Sequence, residues 1–339
     1  MKIITSTLFA IFLLAAAGYG QEAGSNQVIG FGQPKNAPPG KQFLYVVDST
    51  IGGFWRIDLA DGTVFRICQS IGGNSYFDWD SKGNLYACGN RTSPDGKRTP
   101  FIQGLVNPTA IAIDSHDNLY FNEYQKHAGT YKLPLGKVTE DMLPITVIHT
   151  KDASGKVDIT VPPEFKPAGL VTQMQMNVAD AYSLTCDAWD NIYFTQNPEG
   201  PVWKYSPEGK VTKFGLGSSW ARYACPAANG EFYHLGGDII KGAANGQRIG
   251  WFSPSTDRNH SIAIDLDAQG NLYEAQPSHA LDKPTQLDEQ GTPVDLEHRG
   301  IIYKYTPDGR RSVLGYVGFK PWGIRVMPKN KYPTIKPAE

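Results

Sequence analysis

Apolar residues along this chain fall at every second position over short stretches. Ile111 and Ile113, ahead of Asp114, are one instance. A period of two predicts a strand with one buried face. Each stretch runs into Asp, two residues, Gly or Asp, Asn, an aliphatic residue and Tyr, and then into a second apolar stretch. The pattern reads FDWDSKGNLYACGN from Phe77, IAIDSHDNLYFNEY from Ile111 and LTCDAWDNIYFTQN from Leu184. IAIDLDAQGNLYEAQ from Ile262, aligned on Asp265, carries two extra residues, and ACPAANGEFYHLGG from Ala224 is a worn copy. Gly and Asn accept the positive φ of a tight turn, so each copy predicts a hairpin. Further hairpins, VWKYSPEGKVTKFG from Val202 and IIYKYTPDGRRSVLG from Ile301, turn on Pro-x-Gly. One unit is therefore about four antiparallel strands.

The unit tyrosines are Tyr45, Tyr86, Tyr120, Tyr193, Tyr233 and Tyr273, at spacings of 41, 34, 73, 40 and 40 residues. Four-stranded units of about 40 residues are propeller blades. The expected fold is all-β, a six-bladed β-propeller of four-stranded antiparallel blades. The gap of 73 residues is either an insertion or a hidden seventh blade. Lys137 to Pro167 holds a Thr-Val-Ile-His strand and no Asp-x-x-Gly-Asn, which favours the insertion. QFLYVVDS from Gln42 has no first strand of its own, and KPWGIRV from Lys320 looks like that strand. One blade closed by N- and C-terminal strands then shuts the ring and removes the exposed sheet edge. The expected organisation is a signal peptide at 1–20, an N-terminal tail at 21–39, the propeller at 40–328 and a C-terminal tail at 329–339.

The signal reading rests on Lys2, an apolar run from Ile3 to Ala17, and small residues at Gly18 and Gly20. It predicts a secreted or periplasmic protein. No later stretch approaches the roughly 18 apolar residues of a membrane helix, so no span is expected after signal cleavage. The 36 Gly and 24 Pro among 339 residues suit a single turn-rich unit, and 40% hydrophobic residues exclude wholesale disorder. A net charge of −1 without a basic stripe argues against nucleic acid as a partner. Cys68, Cys88, Cys186 and Cys225 include no C-x-x-C, which disfavours a thiolate zinc site. Cys186 and Cys225 sit at related places of the repeat and are the expected disulfide, with buried thiols as the alternative.

The segments IAIDSHDNLYFNEY, DNIYFTQNPEGPVWKYSPEGKVTKFG and GNLYEAQ resemble NHL-type six-bladed propellers, and the resemblance covers about residues 40–328. The same superfamily includes streptogramin lyases, gluconolactonase- and regucalcin-like enzymes and the peptidyl-hydroxyglycine amidating lyase. The repeat itself is scaffold, so the resemblance implies fold more than chemistry.

Propellers bind ligands at the mouth of the central channel, where side chains converge. Two positions per blade reach it. The position five residues before the repeat Asp gives Trp322, Ser75, Thr109, Tyr182, Arg222 and His260. The position three residues after the repeat Tyr gives Asp48, Gly89, Glu123, Gln196, Gly236 and Gln276. From these sets, His260, Glu123 and Arg222 are the candidate catalytic residues. Tyr182, Gln196, Gln276 and Trp322 are candidate substrate contacts, and Asp48 and Glu123 candidate metal ligands. Resemblance to the streptogramin lyases implies a His that removes a proton alpha to a carbonyl, and a divalent cation, magnesium or calcium, that polarises the carbonyl. His260 stands at the His position and Glu123 at a Glu position of another blade, whereas Gln276 stands where a Glu is expected.

Two function classes stay open. One is a metal-assisted lyase or hydrolase for a lactone- or ester-like small molecule. The other is a non-catalytic binding or scaffold propeller with a small ligand or a protein partner in an extracytoplasmic complex. For the second, Pro277–Arg299 and Asn90–Lys97 are the expected loops of a lid or partner surface.

Overall fold

The computed structural model describes residues 42–48, 50–68, 76–87, 89–105, 108–123, 129–151, 157–160, 169–174, 181–196, 201–215, 223–227, 229–236, 238–243, 245, 247–252, 262–278, 286, 288 and 293–327. The proposed signal and both proposed tails lie outside these residues, as do Cys88, Ser75, Arg222 and His260. The described residues form six four-stranded antiparallel sheets. Blade 1 runs Pro321–Met327, Phe43–Asp48, Phe54–Asp58, Val64–Cys68 from the axis outward. Blade 2 is Phe77–Trp79, Leu85–Ala87, Asn90–Thr92, Arg98–Pro100. Blade 3 is Pro108–Ile113, Asn118–Glu123, Gly129–Pro134, Thr172–Gln173. Blade 4 is Ala181–Cys186, Ile192–Gln196, Val202–Tyr205, Val211–Gly215. Blade 5 is Tyr223–Pro226, Phe232–Gly236, Asp238–Gly242, Arg248–Phe252. Blade 6 is Ala263–Leu266, Leu272–Gln276, Gly300–Tyr305, Arg311–Val317. Each first-named strand touches the first strand of the next blade, and that of blade 6 touches blade 1, so the ring is shut.

The repeat aspartate explains why each inner hairpin forms. In blade 3, Asp114 Oδ1 accepts the backbone N–H groups of His116 and Asn118 at 2.9 and 2.8 Å. Its Oδ2 accepts Asn118 Nδ2 at 2.7 Å and the Tyr120 hydroxyl at 3.0 Å. Asp80 and Asp187 repeat this set of four donors. In blade 6 the corresponding residue is Asp267, which accepts Asn271 N, Asn271 Nδ2 and the Tyr273 hydroxyl. The turn there has the regular length, and the two extra residues read from Asp265 do not exist. The positive φ falls on the residue before the Asn: Gly83 at 84°, Asp117 at 58°, Asp190 at 62° and Gly270 at 78°. The Asn is therefore needed for its side-chain donor and not for its φ.

Aspartate at the left-handed position carries strain that glycine does not. It is offset by contacts between blades. Asp190 Oδ1 and Oδ2 accept Ser115 N and Ser115 Oγ from blade 3 at 2.8 and 2.7 Å. Asp117 accepts the same two groups of Ser81 from blade 2. Where the turn carries Gly230 or Gly270 instead, the preceding blade has Ala188 or Ala228 in place of the serine.

Blade 1 is built from both ends of the chain, as the sequence predicts. Phe43–Asp48 pairs with Pro321–Met327 on one side and Phe54–Asp58 on the other. Asp48, itself buried, locks this join. Its carboxylate accepts Thr50 N at 2.8 Å, Ile51 N at 3.2 Å, Lys320 N at 2.6 Å, and Phe319 N.

The 73-residue gap is an insertion between the third and fourth strands of blade 3. It leaves Pro134 through two 3-10 turns, and Arg91 of blade 2 holds Glu140 with paired bonds of 2.8 and 2.9 Å. Ile145–Thr146 then pairs in parallel with Ile102–Gln103. Leu135, Ile145, Val147 and Val171 complete an apolar core with Phe101, Ile111 and Phe121. The close pass needs Gly104 (φ 91°), where a Cβ would lie 2.1 Å from the Val147 carbonyl oxygen. The insertion then forms a hairpin, Ile148–Lys151 with Val157–Thr160.

Two further expectations are corrected. Asn90–Lys97 is not a loop insertion; it lies in the outer hairpin of blade 2, turning on Ser93-Pro94-Asp95-Gly96 as the other Pro-x-Gly hairpins do. Cys186 and Cys225 are not joined: Cys186 Sγ donates to the Asp187 carbonyl at 3.3 Å and Cys225 Sγ to the Ile264 carbonyl at 3.2 Å.

Replacing Asp48 with Ala leaves four backbone N–H groups at the join without their acceptor. Buried charged acceptors of this kind contribute about 3 kcal/mol or more when removed. Asp48→Ala is therefore expected to lower the unfolding free energy by that amount and to move the urea midpoint down at unchanged slope; an unchanged midpoint would show that strand pairing alone closes the ring.

Candidate functional site

The mouth is built from the starts of the inner strands and the ends of the second strands. Below it the channel is filled. The inner-strand residues paired with the six repeat tyrosines are Arg325, Asp78, Ala112, Thr185, Cys225 and Asp265, one per blade. Arg325 reaches across the axis from blade 1 and donates to the Leu184 carbonyl of blade 4, diametrically opposite, at 3.1 Å. Burial works against its charge, but Asp265 and Asp78 more than offset it and hold the guanidinium above its ordinary pKa. Asp265 also accepts Val326 N at 2.7 Å, and Asp78 accepts Ile113 N at 2.9 Å, so both carboxylates tie their blade to the next. One layer nearer the mouth, Tyr76 of blade 2 and Tyr223 of blade 5 stack across the axis, with ring centroids 5.4 Å apart. The Tyr223 hydroxyl donates to the Trp322 carbonyl at 2.7 Å.

At the rim, strand pairing slips by a residue at Asp48, at Glu123 and between Ala181 and Ser183. Such slips re-aim a strand-end side chain. Glu123 is fully buried at the end of the second strand of blade 3, and its Oε2 accepts His149 Nε2 at 2.5 Å. The insertion hairpin thus delivers an imidazole to the mouth, where 16% of its side chain stays exposed. In blade 6, buried Gln276 donates Nε2 to Glu274 Oε1 at 2.8 Å, and Tyr305 donates to Glu274 Oε2 at 2.6 Å. That network turns the Gln276 carbonyl away from Glu274. Trp322 donates Nε1 to Thr50 Oγ1 at 3.3 Å, and its half-buried ring forms part of the blade 1 rim. Tyr182 and Gln196 are placed by their backbones in the first and second strands of blade 4, two residues apart from the Ser183–Thr195 pair at most.

The structure therefore places Asp48, Glu123, Gln276 and Trp322 at the rim, where Asp48 holds backbone donors, Glu123 meets His149, Gln276 meets Glu274 and Trp322 meets Thr50. Because Asp267 is the blade 6 turn residue, the position equivalent to Tyr182 is Ile262, two residues beyond His260. Two residues were not read from the sequence as site members. His149 lies in an insertion with no repeat to place it. Arg325 had a signal, a lone cation in the apolar strand Pro321–Met327.

The donor set was tested against a magnesium or calcium ion, which needs about six oxygens. Both oxygens of Asp48 are taken by four backbone donors, and Glu123 is engaged by His149. Among the described residues the rim does not fit such an ion. A cluster of Asp114, His116 and Asp190 lies at the opposite end, where Asp114 holds its turn and Asp190 holds Ser115.

No protein-family model matches the chain, and no curated protein matches it. Solved structures match it in fold. A protein of unknown function from Bacteroides caccae aligns with a TM-score of 0.51 at 11% identity, over 85% of this chain and 100% of that one. A streptogramin B lyase aligns with a TM-score of 0.45 at 12% identity, over 80% and 87%. A virginiamycin B lyase from Staphylococcus aureus aligns with a TM-score of 0.42 at 11% identity, over 80% and 73%. The likeness to the Bacteroides caccae protein is one of fold alone, and an identity this low carries no site residues across. No helix among the described residues is long and apolar enough to cross a membrane.

Removing Arg325 takes away a cation that acts on buried Asp78 and half-buried Asp265. Arg325→Met is expected to cost about 3–5 kcal/mol in urea unfolding. Loss of less than about 1 kcal/mol would mean the backbone N–H donors alone satisfy the two carboxylates.

Proposed function

We propose that this is an exported propeller that binds a small molecule at its mouth and moves a proton on it, as a lyase or hydrolase of a lactone- or ester-like compound does. One observation carries the reading: a fully buried carboxylate, Glu123, holds the Nε2 of a partly exposed imidazole, His149, at the rim. A carboxylate behind an imidazole fixes its tautomer and ring plane and stabilises the imidazolium that forms when it takes a proton. With Nε2–H committed to Glu123, Nδ1 is the basic nitrogen of the neutral ring. His149 is then the acid–base group and Glu123 its positioning residue. Gln276, Trp322, Tyr182 and Gln196 are the proposed substrate contacts, and Arg222 and His260 are further candidates on sequence position. The export half of the proposal rests on Lys2 and the apolar run to Ala17. No step is routed through a metal, because the rim donors do not fit one.

A non-catalytic binding propeller is the second reading. The Tyr76–Tyr223 stack across the channel and the engaged state of Asp48 and Glu274 favour it, since both carboxylates are already committed to donors of the scaffold.

In a screen of lactones and cyclic esters, His149→Gln is expected to lower kcat/KM by roughly 10²–10⁴ while the protein still melts cooperatively. Glu123→Gln, which keeps the bond to the ring, should lose less. Full turnover in His149→Gln refutes the proposal, and binding without turnover in the wild type selects the second reading. Elemental analysis of the purified chain is expected to find no stoichiometric magnesium or calcium, and EDTA to leave Tm unchanged. A stoichiometric ion with an EDTA-lowered Tm would show that rim donors beyond Asp48 and Glu123 build a metal site.

A further inference from the structure

His234 lies in the second strand of blade 5 and is fully buried. Among the described residues neither ring nitrogen has a hydrogen-bond partner. Ala224 of the inner strand and Ile240 of the third strand stand directly opposite it in the pairing, so apolar groups flank it on its own sheet face. The ring of Phe232 lies nearly parallel to it, with centroids 6.1 Å apart. Phe232 in turn packs on Phe214 of blade 4 at 4.8 Å. Among the described residues the charge acting on the imidazole is the guanidinium of Arg248, at the start of the outer strand of the same blade. No carboxylate acts on it among the described residues.

The corresponding positions of the other blades are Val46, Ala87, Phe121, Phe194 and Glu274. Four of these five are apolar, and Glu274 has Gln276 and Tyr305 as donors. His234 alone is a polar side chain with no compensating group. A neutral imidazole in such a place forgoes hydrogen bonds. An imidazolium would bury two N–H donors and a charge against apolar walls and beside a second cation, which is far more costly.

We infer that His234 is an acid-sensitive element, and that the contact between blades 4 and 5 is held while its ring is neutral and loosens when the ring is protonated. The inference is independent of the activity proposed at the mouth. Burial, and then Arg248, push the folded-state pKa down to about 4. In the unfolded chain a histidine takes up its proton near pH 6.5. The stabilisation is therefore fully present above about 6.5 and is lost as pH falls toward 4, with the unfolding constant rising about tenfold per pH unit in that window.

The test is urea unfolding of the full chain between pH 7 and pH 4.5, for the wild type and for His234→Leu. Other titrating groups are common to both. The wild-type unfolding constant should rise roughly 50-fold more than that of the variant across this range. Equal rises would overturn the inference. Should His234→Leu not fold, the imidazole NMR titration of the wild type decides, with the His234 signal assigned through His234→Gln. A ring that stays neutral to pH 5 supports the inference, and a midpoint near 6.5 overturns it.

Discussion

A ring of sheets is stable only if its last strand finds its first, because an open arc leaves unpaired backbone at both ends. In this protein that closure is one event with several consequences. When Pro321–Met327 pairs with Phe43–Asp48, it brings the N–H groups of Phe319 and Lys320 onto the Asp48 carboxylate. It also lays Val326 N on Asp265 and swings Arg325 across the axis to blade 4. The closing strand is thus held from blade 6, from blade 1 and from the far side of the channel. None of these contacts exists in an open ring. A cation that acts on both Asp78 and Asp265 arrives with this last strand, so closing the ring also contributes to the charge balance of the channel.

The same layer sets what the protein can bind. With Arg325 in the channel and the Tyr76–Tyr223 stack above it, a ligand meets a floor just inside the mouth. On the proposed binding reading, recognition falls to the rim, where strand register slips and where the insertion and the blade 6 network add groups that the repeat does not encode. This division follows from physics: the repeat positions are used up in turn aspartates, tyrosine hydroxyls and blade-to-blade bonds, so chemistry has to come from departures from the repeat.

The fold was legible because its cause is local. An aspartate that accepts two backbone N–H groups, an asparagine amide and a tyrosine hydroxyl must keep its spacing to all of them, and spacing is what a single sequence displays. The strand shared by the chain ends was readable for a similar reason, as two incomplete copies of one unit. The failures have equally physical origins. Asp265 was mistaken for the turn residue because it too is an aspartate after alternating apolar residues, although it serves the inter-blade bond to Val326. That shifted the blade 6 register by two and drew attention to His260. A further regularity went unread: every repeat tyrosine stands opposite a third-strand cation, Arg56, Arg91, Lys132, Lys204, Lys241 or Lys304. In blades 1 and 5, which lack the turn aspartate, burial pushes the tyrosine pKa up and the Arg56 and Lys241 charges offset part of that rise. The site was less legible, since the partner of Glu123 arrives from an insertion whose path depends on side-chain packing and on one glycine.

That path argues for a function of the insertion beyond filling space. A segment needed only to cover the apolar groove between blades 2 and 3 would end where Val147 meets Gly104. Instead the chain continues into a hairpin whose second residue places an imidazole on a carboxylate with no solvent exposure of its own. Burying a carboxylate is costly, and shortening the insertion would take away the His149 donor that helps to offset that cost for Glu123. The carboxylate and the insertion are therefore linked: His149 helps to stabilise Glu123 in blade 3, and Glu123 helps to hold His149 at the rim. A pair with that mutual dependence, partly open to the mouth on the imidazole side, is the arrangement from which an acid–base site can be built on an otherwise saturated scaffold.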